Sequence, residues 1–303
     1  MLMNNIPREQ NTPHQLERLA AQRQLYSDAK NIQNINIILS IPSVIIWSIL
    51  IAFFPSLQIY AALWGLSVTL LEQAIFSHSQ KNLQEKAAKI QQLFDCDIFE
   101  LDWSQLCSGS RPEPELIVSS SAKYRKKDPN YSNLKDWYPV SVGQLPIHEA
   151  RLICQRSNIW WDAKQKLRYC KLILFGLIAI TIIVFLVGLV GGLTLEKFVL
   201  AIVIPLLPAF IFTIRQYIEN KQAATRLDNL RENSENIWQQ VINRRITPQE
   251  LERESYILQN QIYDNRRLSP LIFDWLYYRL KKQNEVEMNK GAETLIKELL
   301  QSP

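Results

Sequence analysis

Glycine is scarce in this chain, with eight in 303 residues. Little low-complexity sequence accompanies it, which argues against a disordered polypeptide. Histidine is scarcer, at three. His14, His78 and His148 are isolated in sequence, and each is expected at the surface. The four cysteines, Cys96, Cys107, Cys154 and Cys170, form no CxxC pair and lie far from the histidines. That spacing argues against structural zinc and against a disulfide framework, leaving free thiols in a reducing cytosol. The chain also lacks GxSxG, a Walker loop, HExxH, the kinase signatures and GxGxxG. Paired carboxylates such as Asp95 and Asp97 have no partner cluster. An enzyme is therefore the least supported class, and no catalytic residue, metal ligand or cofactor is expected. The net charge of +5 suits a protein lying against an anionic inner leaflet but is too small to argue for a nucleic-acid partner. The first 34 residues are polar and mixed in charge, without the apolar core of a signal peptide.

What the chain does have is apolar blocks. They run Ile35–Phe53, Leu57–Ile75, Leu172–Val190 and Phe198–Ile214. At 1.5 Å per residue, 19 helical residues reach about 28 Å, matching a hydrocarbon core of about 30 Å. Phe54-Pro55-Ser56 joins the first two blocks and residues 191–197 join the last two. Both connections are short, so each pair predicts an antiparallel hairpin. The expected fold is mainly α: an integral membrane protein with four transmembrane helices in two hairpins. Of 34 lysines and arginines only Lys197 falls in the connections. The positive-inside rule then puts both termini and the central segment in the cytoplasm of a multi-pass protein. The predicted organisation is an N-terminal cytoplasmic helix (1–34), hairpin one (35–75), a central cytoplasmic sensing segment (76–171), hairpin two (172–214) and a helical, coiled-coil tail (215–303).

The first hairpin is not uniformly apolar. Asn36, Ser40, Ser43 and Trp47 recur at helical spacing on one face, and Gly65, Thr69 and Glu72 do so on the other helix. Such faces are satisfied by another helix, another subunit or water in a pore. Pro205 and Pro208 predict a kink in the fourth helix.

In the cytoplasmic parts, the second helix is expected to continue through His78–Leu93. Phe94–Trp103 alternates apolar and polar and predicts a short strand, giving the central segment a mixed character. Ser104–Pro139 reads as loops. Lys123, Arg125, Lys126 and Lys127 cluster around Tyr124, as a solvated or headgroup-facing surface or as a phosphate contact. A helix from about Ile147 runs into the third block. In the tail, Ala223, Leu227, Leu230, Ser234, Ile237 and Val241 form a heptad seam. Thr247-Pro248-Gln249-Glu250 is a capping-box start. The next helix carries Leu251, Leu258 and Ile262. These two helices fold into a hairpin or zip with another subunit. A last helix from about Pro270 presents Leu271, Trp275 and Tyr278.

Several strings in this order carry a resemblance. They are Glu9-Gln10-Asn11 with Leu19–Lys30, then Leu93–Phe99, Leu134–Pro139, Cys154–Asn158, and Ile257–Ile262 with Arg266. The chain resembles the S-4TM family of four-helix, pore-forming effectors of bacterial oligonucleotide-cyclase antiphage defence systems. The resemblance implies a bacterial inner-membrane protein functionally linked to a nucleotidyltransferase. That enzyme makes a cyclic nucleotide or oligonucleotide messenger, which the effector senses before depolarising the infected cell. On this reading the messenger contacts Arg125, Lys126, Lys127, Lys135, Trp137, Tyr138, Arg156 and Trp161, because cations suit phosphates and aromatics suit bases. Asn36, Ser40, Ser43, Gly65, Thr69 and Glu72 would line the pore of a homo-oligomer, since one hairpin is too thin to enclose water. The alternative is a non-conducting scaffold that recruits partners through its coiled coil. A small transporter is a third reading, with no clear internal repeat to support it.

Overall fold

The computed structural model describes residues 3–190, 194–199 and 203–301. The Gly191-Gly192-Leu193 part of the second connection and residues 200–202 of the fourth apolar block lie outside them. Every regular element among the described residues is helical. In chain order these are α1 (Ile6–Glu9), α2 (Pro13–Ser40), α3 (Pro42–Phe53), α4 (Gln58–Leu71), α5 (Ser77–Phe99), α6 (Gln105–Ser108), α7 (Pro114–Arg125), α8 (Ile147–Val190), α9 (Leu195–Phe198), α10 (Ile204–Ile242), α11 (Pro248–Leu268) and α12 (Asp274–Gln301).

The first apolar block is not one helix. Its start is the end of α2, and α3 begins at Pro42, whose missing N–H breaks the ladder at Ile41. A 3₁₀ turn at Pro55–Leu57 then leads into α4. A π-helical turn, Glu72–Phe76, joins α4 to α5. Ile59–Phe99 is in this way one helix of 41 residues, long and apolar enough to cross a membrane, and the one such helix among the described residues. In α8, 44 residues run without interruption from the core into the third block. α10 starts at Ile204 with Pro205 in its first turn, where a missing N–H costs least, and stays helical through position 208.

The strand expected at Phe94–Trp103 is not formed, and the central segment is helical rather than mixed. α5 runs through Phe99, because Phe94 and Ile98 lie one turn apart on its buried face. It ends at Glu100, whose left-handed φ of 55° lets the Leu101 N–H reach back 2.9 Å to the Cys96 carbonyl. Within the expected loops, Pro114–Arg125 is helix, started by Pro114 in its first turn.

Both helix pairs continue out of the apolar blocks as antiparallel pairs. Arg18 of α2 bonds Asp97 near the far end of α5. Arg156 of α8 pairs with Glu235 of α10, and Cys170 lies against the Tyr217 carbonyl. The heptad seam of α10 is spent inside the chain: Ala223, Leu227, Ser234, Ile237 and Val241 are buried, and α10 packs on α8 and α11. The capping box forms as expected, the Glu250 N–H donating to Thr247 Oγ1 and the Thr247 N–H to Glu250 Oε2. In α12, Leu276 faces inward while Trp275 and Tyr278 are exposed, one residue out of phase with the predicted face.

One core joins these parts, with Phe94, Ile98, Leu152, Ile153, Trp238 and Leu258 near its centre. A second, of Ala21, Leu25, Ala87, Ile90 and Ile117, locks α2 to α5 and α7. By contrast, Ile59 and Leu66 on α4 and Phe175, Ile183, Phe185 and Leu189 on α8 are exposed. Apolar surface this continuous marks contact with lipid or with other chains.

Candidate ligand-binding cavity

A cavity of about 590 Å³ opens between α2, α8, α11, α12 and the loop before α8. Each helix lines it with one face. α2 supplies Gln22, Arg23, Tyr26 and Lys30, and α8 supplies Asn158, Trp161, Asp162, Gln165 and Lys166. These spacings of three and four residues put each set on one side of its helix.

The loop wall carries Ser132, Asn133, Lys135, Asp136, Trp137 and Tyr138. Its shape is set by side chains bonding backbone. The Asp128 carboxylate accepts from the N–H groups of Ser132 and Asn133, each at 3.0 Å. Burial by itself would raise its pKa, but these bonds, with those from the Ser132 and Asn133 side chains, together hold it below the ordinary value. The buried Gln10 amide then clasps the Tyr138 backbone at both ends, at 2.8 and 3.1 Å. Asn11 accepts from the Asp136 N–H at 3.0 Å and donates to the Asp136 carboxylate at 2.8 Å, at a residue whose φ is 50°. The N-terminus thus pins the loop to α2.

Beneath the cavity sits Asp95, wholly buried. It accepts from Arg266 Nη1 at 2.6 Å, Tyr138 Oη at 2.9 Å and Gln259 Nε2 at 2.9 Å. Asn158 donates to Tyr138 Oη at 3.0 Å, and Gln155 donates to Gln259 Oε1 at 3.1 Å. Four of the strings that carry the family resemblance meet in this network. Burial by itself would lower the pKa of Arg266, but Asp95, Tyr138 and Tyr26 together more than offset this and hold it raised. Burial pushes Tyr138 well up, and Asp95 adds to the effect.

Two buried donors on residues that line the cavity are unspent: Arg266 Nη2 and Gln165 Nε2 have no hydrogen-bond partner among the described residues. A buried donor left so costs about 1–3 kcal/mol unless something accepts from it. Lys166 is also buried, donating to the Pro270 carbonyl at 2.9 Å. Burial lowers its pKa, partly countered by Asp162. Burial, with Arg23 nearby, lowers Lys30 to about 8. Arg23, Lys30, Lys135, Lys166, Arg266 and Lys281 face the cavity against the acids Asp136, Asp162 and Glu285. Trp137, Trp161 and Tyr277 add aromatic faces. Surplus cations with flat apolar walls suit an anion bearing planar rings.

The structure gathers Lys135, Trp137, Tyr138 and Trp161 at this cavity and leaves the other four sequence candidates elsewhere. Arg125 reaches Glu17 and Tyr131, Lys127 reaches Gln24, and Lys126 is exposed. Arg156 pairs with Glu235 at 3.1 Å in a separate depression beside Asp228 and Arg231. Sequence reasoning missed Arg23, Lys30, Gln165, Lys166 and Arg266. The signal available was the Gln22, Tyr26, Lys30 repeat of four on a helix leading into an apolar block.

In the first hairpin, Ser40 donates to Asn36 Oδ1 at 3.3 Å, and Ser43 donates to the Leu39 carbonyl while accepting from Trp64 Nε1 at 2.9 Å. Thr69 donates to the Gly65 carbonyl at 2.9 Å, and a Cβ on Gly65 would meet open space. Glu72 bridges to Arg215 at 2.7 Å, tying the first hairpin to the second.

Fold and cavity define an all-helical class in which a cationic, aromatic pocket is built on helices that run on into apolar shafts. The chain belongs to the SMODS-associating 4TM effector domain family, whose model matches residues 4–295. It is similar to the protein named "Probable CBASS effector molecule" of Bacillus cereus (strain VD146), at 24% identity over 291 residues, 92% of this chain and 94% of that one. No solved structure matches it.

Proposed function

We propose that this chain is the membrane effector of a bacterial antiphage system, that a nucleotide second messenger enters the cavity, and that binding opens an ion path that depolarises the infected cell. Family membership supports the effector role and, with the apolar helix Ile59–Phe99, a place in the membrane. The observation that carries the messenger is the pair of buried, unspent donors, Arg266 Nη2 and Gln165 Nε2, in a wall rich in cations and aromatics. The four apolar blocks act as four spans in the inner membrane, with both termini cytoplasmic because the basic residues lie on that side. Since one hairpin cannot enclose water, conduction takes several copies of the chain. All of the heptad seam but Leu230 is buried within the chain, which supports this reading over the scaffold alternative.

The test is membrane potential, followed with a voltage-sensitive dye in cells that express the protein with its nucleotidyltransferase. Depolarisation is expected only with an active transferase, and Trp161→Ala with Lys135→Gln should abolish it while the protein still reaches the membrane. An unchanged potential beside a fully active transferase would sink the proposal.

A further inference from the structure

Three groups on α2 converge on one carboxylate at the start of α12. Lys30 Nζ lies 2.7 Å and Arg23 Nη2 3.4 Å from Asp274 Oδ1, and Ser27 Oγ lies 3.5 Å from Oδ2. The two cations are deeply set, with side chains 11% exposed, whereas Asp274 is 33% exposed. The anion therefore sits on the open side of a cradle whose donors are fixed in the wall. Arg23 is held in place from another direction, its guanidinium 3.9 Å from the centre of the Tyr277 ring.

The charges do not balance. Two cations on one helix share a single carboxylate, and each raises the cost of burying the other. Burial would raise the pKa of Asp274, but Lys30 and Arg23 hold it below its ordinary value. An arginine, a lysine and a hydroxyl converging on one oxyanion is the donor set that binds a phosphate group. Arg23 and Lys30 also face the cavity in which Arg266 Nη2 is unspent.

We infer that Arg23, Ser27 and Lys30 form a phosphate subsite, and that Asp274 is its internal stand-in, displaced when a ligand phosphate arrives. This deepens the proposed function and rests on its reading of the cavity. Exchange of a carboxylate for a phosphate releases the first turn of α12 from α2. α2 is one helix from the subsite to Ser40, so the release is felt where the first apolar block begins. Asp274 thus latches the empty state.

The probe for the subsite is inorganic pyrophosphate, titrated against the full chain in lipid nanodiscs and followed by tryptophan fluorescence. Asp274→Asn removes the competing charge and should tighten binding about tenfold. Ser27→Ala keeps the ion pairs but removes a donor, and should weaken binding severalfold. Equal or weaker binding by Asp274→Asn overturns the inference, and so does unchanged binding by Ser27→Ala, which decides the matter if Asp274→Asn does not fold. In cells, Asp274→Asn should depolarise the membrane without any transferase. If wild type depolarises with the transferase and Asp274→Asn is silent without it, the latch is refuted and the messenger reading stands. If wild type never depolarises, the messenger reading fails, and the pyrophosphate titration still decides the subsite.

Discussion

Arg266 and Asp95 form a 2.6 Å ion pair with side chains only 7% and 0% exposed. Such a pair is tolerable in a core because the carboxylate also accepts from Tyr138 and Gln259. Removing one partner strands the other charge, at a cost of about 3–5 kcal/mol. Asp95→Ala should therefore lower the melting temperature of the detergent-solubilised protein sharply, and Asp95→Asn less so. Equal melting of Asp95→Ala and wild type would show that the network does not hold the core.

Lys30 should make pyrophosphate binding sensitive to pH. It faces Arg23 on its own helix, Asp274 and Tyr277 on α12, and Lys166 on α8. Its folded pKa of about 8 lies below the ordinary 10.5. The charged form is thus penalised on folding: the associated stability is fully present above 10.5 and lost as pH falls through about 8. For an anionic probe the sign is opposite, since Lys30 loses its charge as pH rises past about 8. Pyrophosphate binding should weaken over that range, and Lys30→Arg should flatten the profile. A wild-type profile as flat as that of Lys30→Arg would exclude Lys30 as the titrating group.

Thiol chemistry gives a test of the fold alone. Cys107 is exposed and free, whereas Cys96, Cys154 and Cys170 are buried and free. Burial, with Asp95 beside it, pushes Cys96 up to about 12. A maleimide should label Cys107 in the folded protein and all four thiols after denaturation, as read by intact mass. Rapid native labelling of Cys154 would contradict the packing of α8.

The Glu72–Arg215 bridge predicts a charge-swap result. Glu72→Arg and Arg215→Glu should each disturb transferase-dependent depolarisation, and the double swap should restore it in part. Failure of the double variant, with normal expression, would mean that the bridge does not couple the hairpins.

Local features were the most legible in the sequence. The start of α8 at Ile147, the capping box at Thr247 and the buried seam from Ala223 to Val241 depend on neighbours within a few turns. The strand expected at Phe94–Trp103 failed because two aspartates between apolar residues mimic a period of two. Asp95 is in fact buried by Arg266, a partner 171 residues away. The basic cluster at Arg125–Lys127 is dense in sequence, while the cavity cations are dispersed over Arg23, Lys30, Lys166 and Arg266. Only the fold brings those four to one cavity. Pro42 marks the break in the first block, but the apolar residues on both sides of it hide the break in a hydropathy pattern.

The wide turn at Glu72–Phe76 accommodates roughly one residue more than an α-helical turn, and each residue is worth about 100° of rotation. The apolar half of Ile59–Phe99 is therefore indexed separately from its buried half. Converting that turn to regular α-helix would swivel α4 about its own axis by about a quarter of a circle. A different stripe of α4 would then face its neighbours, with no bond broken in the core that holds α5.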